Sequence, residues 1–159
     1  MQEVARLHRK VRNQRQNAHH QLSRRLVNQF DLIAIEDLKI KNMVRSPKPR
    51  PDPSNPEVFL PNGAAAKAGL NRSISDAGWA ILLSMIGYKA ESAGRTVVTV
   101  DPRHTSQRCV VCSHVARSNR VKQAVFKCQR CGHEDHADLS AACNILWTGR
   151  AQLARASVG

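Results

Sequence analysis

Two pairs of cysteines, Cys109-x2-Cys112 and Cys128-x2-Cys131, with 15 residues between them, constrain this 159-residue chain more than any other feature. A two-residue gap lets a tight knuckle turn both sulfurs toward one ion, and two knuckles close a tetrahedral four-thiolate site of the structural-zinc type. Four thiolates leave no open position for water, which excludes a catalytic zinc. Flanking Arg108, Lys127 and Arg130 offset the negative charge of such a site and favour the thiolate forms. Two disulfides would use the same residues, but they belong to oxidising compartments, and no secretory n-region and h-region opens the sequence. His104, His114, His133 and His136 surround the knuckles and stand as alternative ligands. The fifth cysteine, Cys143, falls in an apolar helical stretch and reads as a small buried side chain.

Charge narrows the choice of partner. The chain holds 25 Lys and Arg against 12 Asp and Glu, a formal charge of +13. The excess is concentrated in two segments. Residues 1–30 carry Arg6, Arg9, Lys10, Arg12, Arg15, Arg24 and Arg25 against Glu3 alone, and residues 102–132 carry Arg103, Arg108, Arg117, Arg120, Lys122, Lys127 and Arg130 with no acid. Two basic segments in one small chain point to nucleic-acid phosphate. Aromatic residues make up only 4% of the sequence, so the expected grip is on backbone phosphates rather than on stacked bases. The longest mostly apolar stretch, Ala77 to Tyr88, is far shorter than the roughly 18 residues a membrane-spanning helix needs, and the expected location is intracellular, in the cytoplasm.

Hydrophobic periodicity supplies the scaffold. Val4, Leu7, Val11, Ala18, Leu22 and Leu26 lie on one narrow helical stripe, predicting a helix from Gln2 to Gln29 that rests on a core. Asp31 to Glu36 reads as a short strand, apolar on both faces, with Glu36 at its carboxyl end. Six prolines between Pro47 and Pro61 predict an irregular surface excursion over residues 46–61. A second helix, opened by Asn71 or Ser73 and stopped by Gly94, would bury Ile74, Ala77, Ile81, Leu82, Met85 and Ile86. Thr96 to Val100 reads as a second strand, parallel to the first in a right-handed βαβ unit. Asp138 opens a last short helix.

Several of these segments, in order, carry a family resemblance: Ile33-Ala-Ile-Glu36-Asp-Leu38, Gly69-Leu-Asn-Arg-Ser-Ile-Ser-Asp76-Ala-Gly-Trp79, Tyr88-Lys-Ala-Glu-x-Ala-Gly-Arg95, Val100-Asp-Pro-Arg-x-Thr-Ser-Gln-Arg-Cys109 and Ala137-Asp138-x-x-Ala-Ala-x-Asn-Ile145. Together they resemble the C-terminal half of the TnpB (OrfB) proteins, transposon-encoded RNA-guided DNA endonucleases related to the type V CRISPR effectors. The resemblance implies an α/β fold, a partial RNase H-like (RuvC) domain with an inserted four-cysteine zinc ribbon. Its divisions are residues 1–101 for the partial nuclease core, 102–133 for the ribbon, 134–149 for the final helix and 150–159 for a tail. It also implies DNA and guide RNA as partners, and three carboxylates that hold two Mg2+ ions for phosphodiester hydrolysis. Glu36 matches the second of these carboxylates and Asp138 the third. The ribbon matches the family's target-binding zinc finger.

Two departures bear on activity. The family's Asn two residues after its third acid is Ser140 here, and its first acid, on a Gly-Ile-Asp-like strand, has no counterpart in these residues. Asp31 is an odd number of positions from Glu36 and so points from the opposite face of the strand. Asp101 belongs to an Asp-Pro turn, and Asp135 reads as a solvent-facing neighbour. The expectation is therefore a truncated TnpB-like polypeptide that binds zinc and nucleic acid and does not cut DNA alone. The alternative is a non-catalytic zinc-ribbon protein that binds nucleic acid or regulates.

Overall fold

In the computed structural model, which describes residues 2–157, the narrow apolar stripe forms one continuous helix, α1 (Gln2–Gln29). The stripe is used at one end only. Ser23 and Val27 are fully buried, whereas Val4, Leu7 and Val11 near the amino terminus stay half exposed. The expectation that the whole helix lies on a core holds for its last turns alone.

The chain forms two units, the first comprising residues up to Arg25 and Lys39–Tyr88, the second Leu26–Leu38 and the chain from Lys89 onward. In the first, a short helix α2 (Ile40–Met43) is followed by a hairpin of β2 (Arg50–Asp52) and β3 (Asn55–Leu60), then by α3 (Ala64–Ala77) and the start of α4 (Trp79–Ser92). The hairpin occupies the segment expected to be irregular. Pairing of Arg50 with Leu60 and Pro51 with Phe59 leaves every strand on an edge, where a missing proline N–H costs no ladder bond. Its tip is an Asx turn, with the Ser54 N–H donating to Asp52 Oδ1 at 2.8 Å and Pro53 between them.

The helix expected from residue 71 begins earlier and is broken in the middle. Asn62 Oδ1 accepts the first free N–H, from Ala64, at 3.1 Å, so Asn71 and Ser73 are interior residues of α3. Asn71 instead donates to the Val44 carbonyl at 2.6 Å, tying α3 to the end of α2. Gly78, in the left-handed conformation at φ 64°, separates α3 from α4. A Cβ there would lie 2.6 Å from His19 Cε1, so the break also lets α1 approach closely. The break turns the apolar stripe: Ile74, Met85 and Ile86 are buried, while Ala77 and Ile81 are exposed.

In the second unit, β1 (Leu32–Glu36) and β4 (Thr96–Val100) pair in parallel, with Ala34 opposite Val98 and Glu36 opposite Val100. The long helix α5 (Ala137–Ala156) packs on this pair, and residues 150–156 continue it rather than forming a tail. The contact is closest at Gly149, where a Cβ would lie 2.6 Å from Val98 Cγ1 and 3.1 Å from Ala34 Cβ. Between β4 and α5 runs the cysteine-rich segment, with a small antiparallel ribbon of β5 (Val125–Lys127) and β6 (Glu134–His136).

Alanine outranks glycine in helices by about 1 kcal/mol, but overpacking a closed contact costs about 1–3 kcal/mol. Gly149→Ala is therefore expected to lower stability in urea unfolding followed by circular dichroism, and a more stable variant would contradict the close approach.

Candidate metal centre and adjoining carboxylates

The two cysteine knuckles have the same local structure. In the first, the Cys109 N–H donates to the His114 carbonyl at 2.9 Å and the Ser113 N–H to the Cys109 carbonyl at 3.0 Å. In the second, Cys128 donates to His133 at 2.8 Å and Gly132 to Cys128 at 3.0 Å. The residue after each second cysteine is left-handed, Ser113 at φ 60° and Gly132 at φ 74°. This turn brings the sulfurs to one point. The four Sγ atoms lie within 4.8 Å of one another, with Cys109 and Cys131 at 3.7 Å and Cys112 and Cys128 at 3.5 Å. A tetrahedral ion with bonds of about 2.3 Å sets sulfurs about 3.8 Å apart, so the four thiols fit zinc as a cluster. All four are free of disulfides, and no histidine belongs to the cluster.

The sulfurs differ in how readily they ionise. Desolvation opposes ionisation of Cys128, but the N–H groups of Cys131 and Arg130 and the Cys112 thiol outweigh it and lower its pKa to about 6. At Cys131 the His133 N–H favours the thiolate, yet desolvation and the neighbouring sulfurs push the pKa up to about 12. Sulfurs this close do not all ionise unless a soft-ligand cation sits among them. Beneath them, fully buried Phe126 and Ala137 form the floor, with the His133 ring tilted against Phe126.

Asn119 was not singled out by spacing, yet it braces both knuckles. Fully buried, it donates through Nδ2 to the carbonyls of Gln107 at 2.9 Å and His114 at 3.2 Å, and its Oδ1 accepts the Gln129 N–H at 2.9 Å.

Glu36 ends β1. Residues two apart in a strand share a face, so Glu36 projects on the side of Ala34, which faces α5. Its Oε1 accepts the Thr105 hydroxyl at 2.6 Å. Thr105 is in turn held by α5: Asn144 Nδ2 donates to the Thr105 carbonyl at 2.9 Å and to the Arg108 carbonyl at 2.8 Å. Thr105 and Asn144 are 8% and 4% exposed, so this chain of bonds is shielded from water. Neither was a sequence candidate, although both lie within motifs of the resemblance.

Asp138 lies in the first turn of α5, with its N–H capped by His136 Nδ1 at 3.3 Å. Gly149 meets Ala34, and Asn144, five residues earlier, meets the segment after β4. The start of α5 therefore lies toward the carboxyl end of the strands, the end that carries Glu36. The Asp138 side chain is 74% exposed and pairs with Arg120 at 3.5 Å. Two residues further along α5, Ser140 is 1% exposed and its hydroxyl has no partner among the described residues. Of the other acids, Asp31 pairs with Arg95, Asp101 with the Arg103 guanidinium, and Asp135 accepts its neighbour's N–H. The Arg103 side chain, then its backbone N–H, holds the Asp101 carboxyl below the usual range. Among the described residues, no group of three acids or histidines gathers to hold a metal.

The basic candidates divide between the units. Arg6, Arg9, Arg12, Arg15 and Arg24 lie on α1, where Arg6 pairs with Glu3 and Arg15 with Asp76. In the second unit Arg108, Arg117, Lys122 and Arg130 are exposed, Lys127 pairs with Glu134, and Arg103 and Arg120 pair with Asp101 and Asp138. Cys143, expected to be buried, is exposed, because α5 turns its Ser140, Asn144 and Gly149 face inward.

A strand-end carboxylate, an acid at a helix start and a zinc-compatible four-cysteine ribbon between them characterise this α/β chain. Comparison with known proteins is specific. Residues 1–47 match the OrfB_IS605 transposase family, and residues 79–145 match the Cas12f1-like TNB domain. InsQ of Escherichia coli (strain K12), which bears the name "Putative RNA-guided DNA endonuclease InsQ", is 39% identical over 95% of this chain and 36% of its own length. Cas12f1 of Sulfoacidibacillus thermotolerans is 52% identical over 40% of this chain and 15% of its own length. In cryo-EM structures, Cas12f1 bound to sgRNA and target DNA superposes on 90% of this chain and 36% of its own with a TM-score of 0.60, at 21% identity. The chain belongs to the TnpB/OrfB family, and spans about a third of the length of InsQ. Among the described residues, no helix is long and apolar enough to cross a membrane.

Asn119→Ala leaves three part-buried backbone groups without their partner and is expected to lower zinc affinity at least about tenfold in competition with a chelating dye. Cys128→Ser is expected to abolish stoichiometric zinc in the purified protein, measured by elemental analysis. Full zinc content in both variants would contradict the four-thiol centre.

Proposed function

We propose that this chain is the portion of a TnpB-like RNA-guided DNA endonuclease that carries the later elements of a RuvC-like, RNase H-type nuclease core together with its zinc ribbon. By itself it binds zinc and nucleic acid and does not cut DNA. One observation carries this reading: Glu36, at the carboxyl end of β1 and on the α5 face, is fixed by the buried chain from Asn144 through Thr105. A surface glutamate needs no such support, whereas a metal-holding carboxylate does. Asp138 is the partner acid, at the start of the helix that packs on the same face.

The residues suit a magnesium pair only in part. Glu36 and Asp138 supply hard oxygen donors, but two acids do not hold two ions in the geometry that in-line hydrolysis needs, and no third acid joins them among the described residues. No hydrolytic step therefore follows from this chain alone. DNA and guide RNA are partners of the complete endonuclease. What remains here is phosphate attraction from α1 and the ribbon, and a zinc that shapes the ribbon.

The Arg120–Asp138 ion pair favours a second reading, a non-catalytic nucleic-acid-binding or regulatory protein, because it engages one of the two acids. A coding segment upstream that specifies a Gly-x-Asp strand would favour the endonuclease reading, and its absence the second.

The purified chain is expected to leave supercoiled plasmid intact with Mg2+ and to behave like its Glu36→Ala variant. Scission that disappears in Asp138→Ala would refute this. Duplex binding in gel shifts is expected to weaken by at least about tenfold between 50 and 200 mM salt, as phosphate contacts dictate.

A further inference from the structure

The four sulfurs of the ribbon are not equally reachable. Cys109 and Cys128 are 1% and 2% exposed, in the small core with Phe126 and Ala137, whereas Cys112 is half-buried and Cys131 is open to solvent. Close approaches cross between the knuckles, Cys131 to Cys109 at 3.7 Å and Cys112 to Cys128 at 3.5 Å. Each crossing pair therefore joins a reachable sulfur to a shielded one. Holding a structural ion does not require this asymmetry, since a closed four-thiolate site can be buried throughout.

It is the arrangement in which one sulfur is oxidised and its neighbour resolves it. Sensor thiols are solvent-accessible and stand beside a second, resolving cysteine. The approach to Cys131 is open: a Cβ added at the next residue, Gly132, would meet nothing within 4 Å. Drawing Cys131 and Cys109 together to the ~2.05 Å of a disulfide takes a movement of under ~2 Å, shared by two side chains.

We propose that Cys131 is a site of modification by hydroperoxide, that Cys109 is its resolving partner, and that the bond between them releases zinc from the ribbon. The inference rests on the four-thiol zinc reading above and adds the chemistry that empties the site. The Cys131 thiolate attacks hydrogen peroxide, the O–O bond breaks, hydroxide leaves and a sulfenic acid forms. The Cys109 thiolate then attacks the Cys131 sulfur, the S–O bond breaks and a second hydroxide leaves. Two protons from solvent convert both hydroxides to water, so the two sulfurs lose the two electrons that the peroxide gains. With two of its four ligands joined to each other the ion is no longer enclosed, and a second peroxide closes Cys112 on Cys128 by the same route. Crossed bonds keep the knuckles together after the ion leaves, whereas bonds within each knuckle would part them.

Cys143→Ser in the zinc-loaded full chain confines the chemistry to the ribbon. Hydrogen peroxide is expected to release about one zinc per peroxide consumed, read with a chelating dye, and a thiol reductant with added zinc to restore the original content. Trypsin cuts after Arg108, Arg117, Lys127 and Arg130, which puts Cys109 and Cys112 on one peptide and Cys128 and Cys131 on two others. After limited oxidation and alkylation, mass spectrometry should find the first of these joined to the Cys131 peptide through Cys109, with Cys112 and Cys128 alkylated. Dimedone present during oxidation should label Cys131. Zinc retained in excess peroxide, any first bond other than Cys109 to Cys131, or a dimedone label on any other cysteine overturns the proposal while the zinc centre stands. A reduced chain that takes up no zinc overturns both.

Discussion

One buried carboxamide holds the second unit together around its candidate site. Asn144 faces inward from α5 and donates to two carbonyls, those of Thr105 and Arg108, in the segment between β4 and the first cysteine. A buried carbonyl that lost this donor would keep the full cost of its desolvation, so the segment has one favourable path over the helix. Everything of functional interest branches from that path. Thr105 reaches Glu36, Arg108 leads into the first knuckle, and four residues on along α5 Thr148 returns its hydroxyl to the Asn144 carbonyl at 2.8 Å.

Because of this arrangement, the zinc-compatible ribbon and the carboxylates are not independent modules. The ribbon's floor includes Ala137, the first residue of α5, and its Arg120 pairs with Asp138 one residue on. Disturbing the thiols therefore disturbs the start of the helix that bears an acid of the site. The same coupling explains why a segment with so little regular structure is well packed: it is braced by Asn119 on one side and Asn144 on the other, two amides with few rotamers and several donors.

The division between what was readable in advance and what was not follows the range of the forces involved. Knuckle spacing, the α1 stripe and the strands Thr96–Val100 and Leu32–Glu36 are local patterns, and each appears where periodicity puts it. The hairpin at residues 50–60 was obscured by its prolines, which are tolerated because both strands are edges. The break at Gly78 was obscured because an apolar stripe runs through it, and a single glycine shows its left-handed angle only once His19 occupies the space beside it.

The sequence by itself determined the family, the four-sulfur centre and the two acids at a strand end and a helix start, because each depends on residues a few positions apart. Tertiary structure alone decided that Thr105 and Asn144 support Glu36, that Arg120 pairs with Asp138, and that Arg108, Trp147 and Arg155 share a groove. Most of those contacts join residues tens of positions apart in the chain, made only when β1 and β4 pair and α5 closes over them, and no local pattern records them.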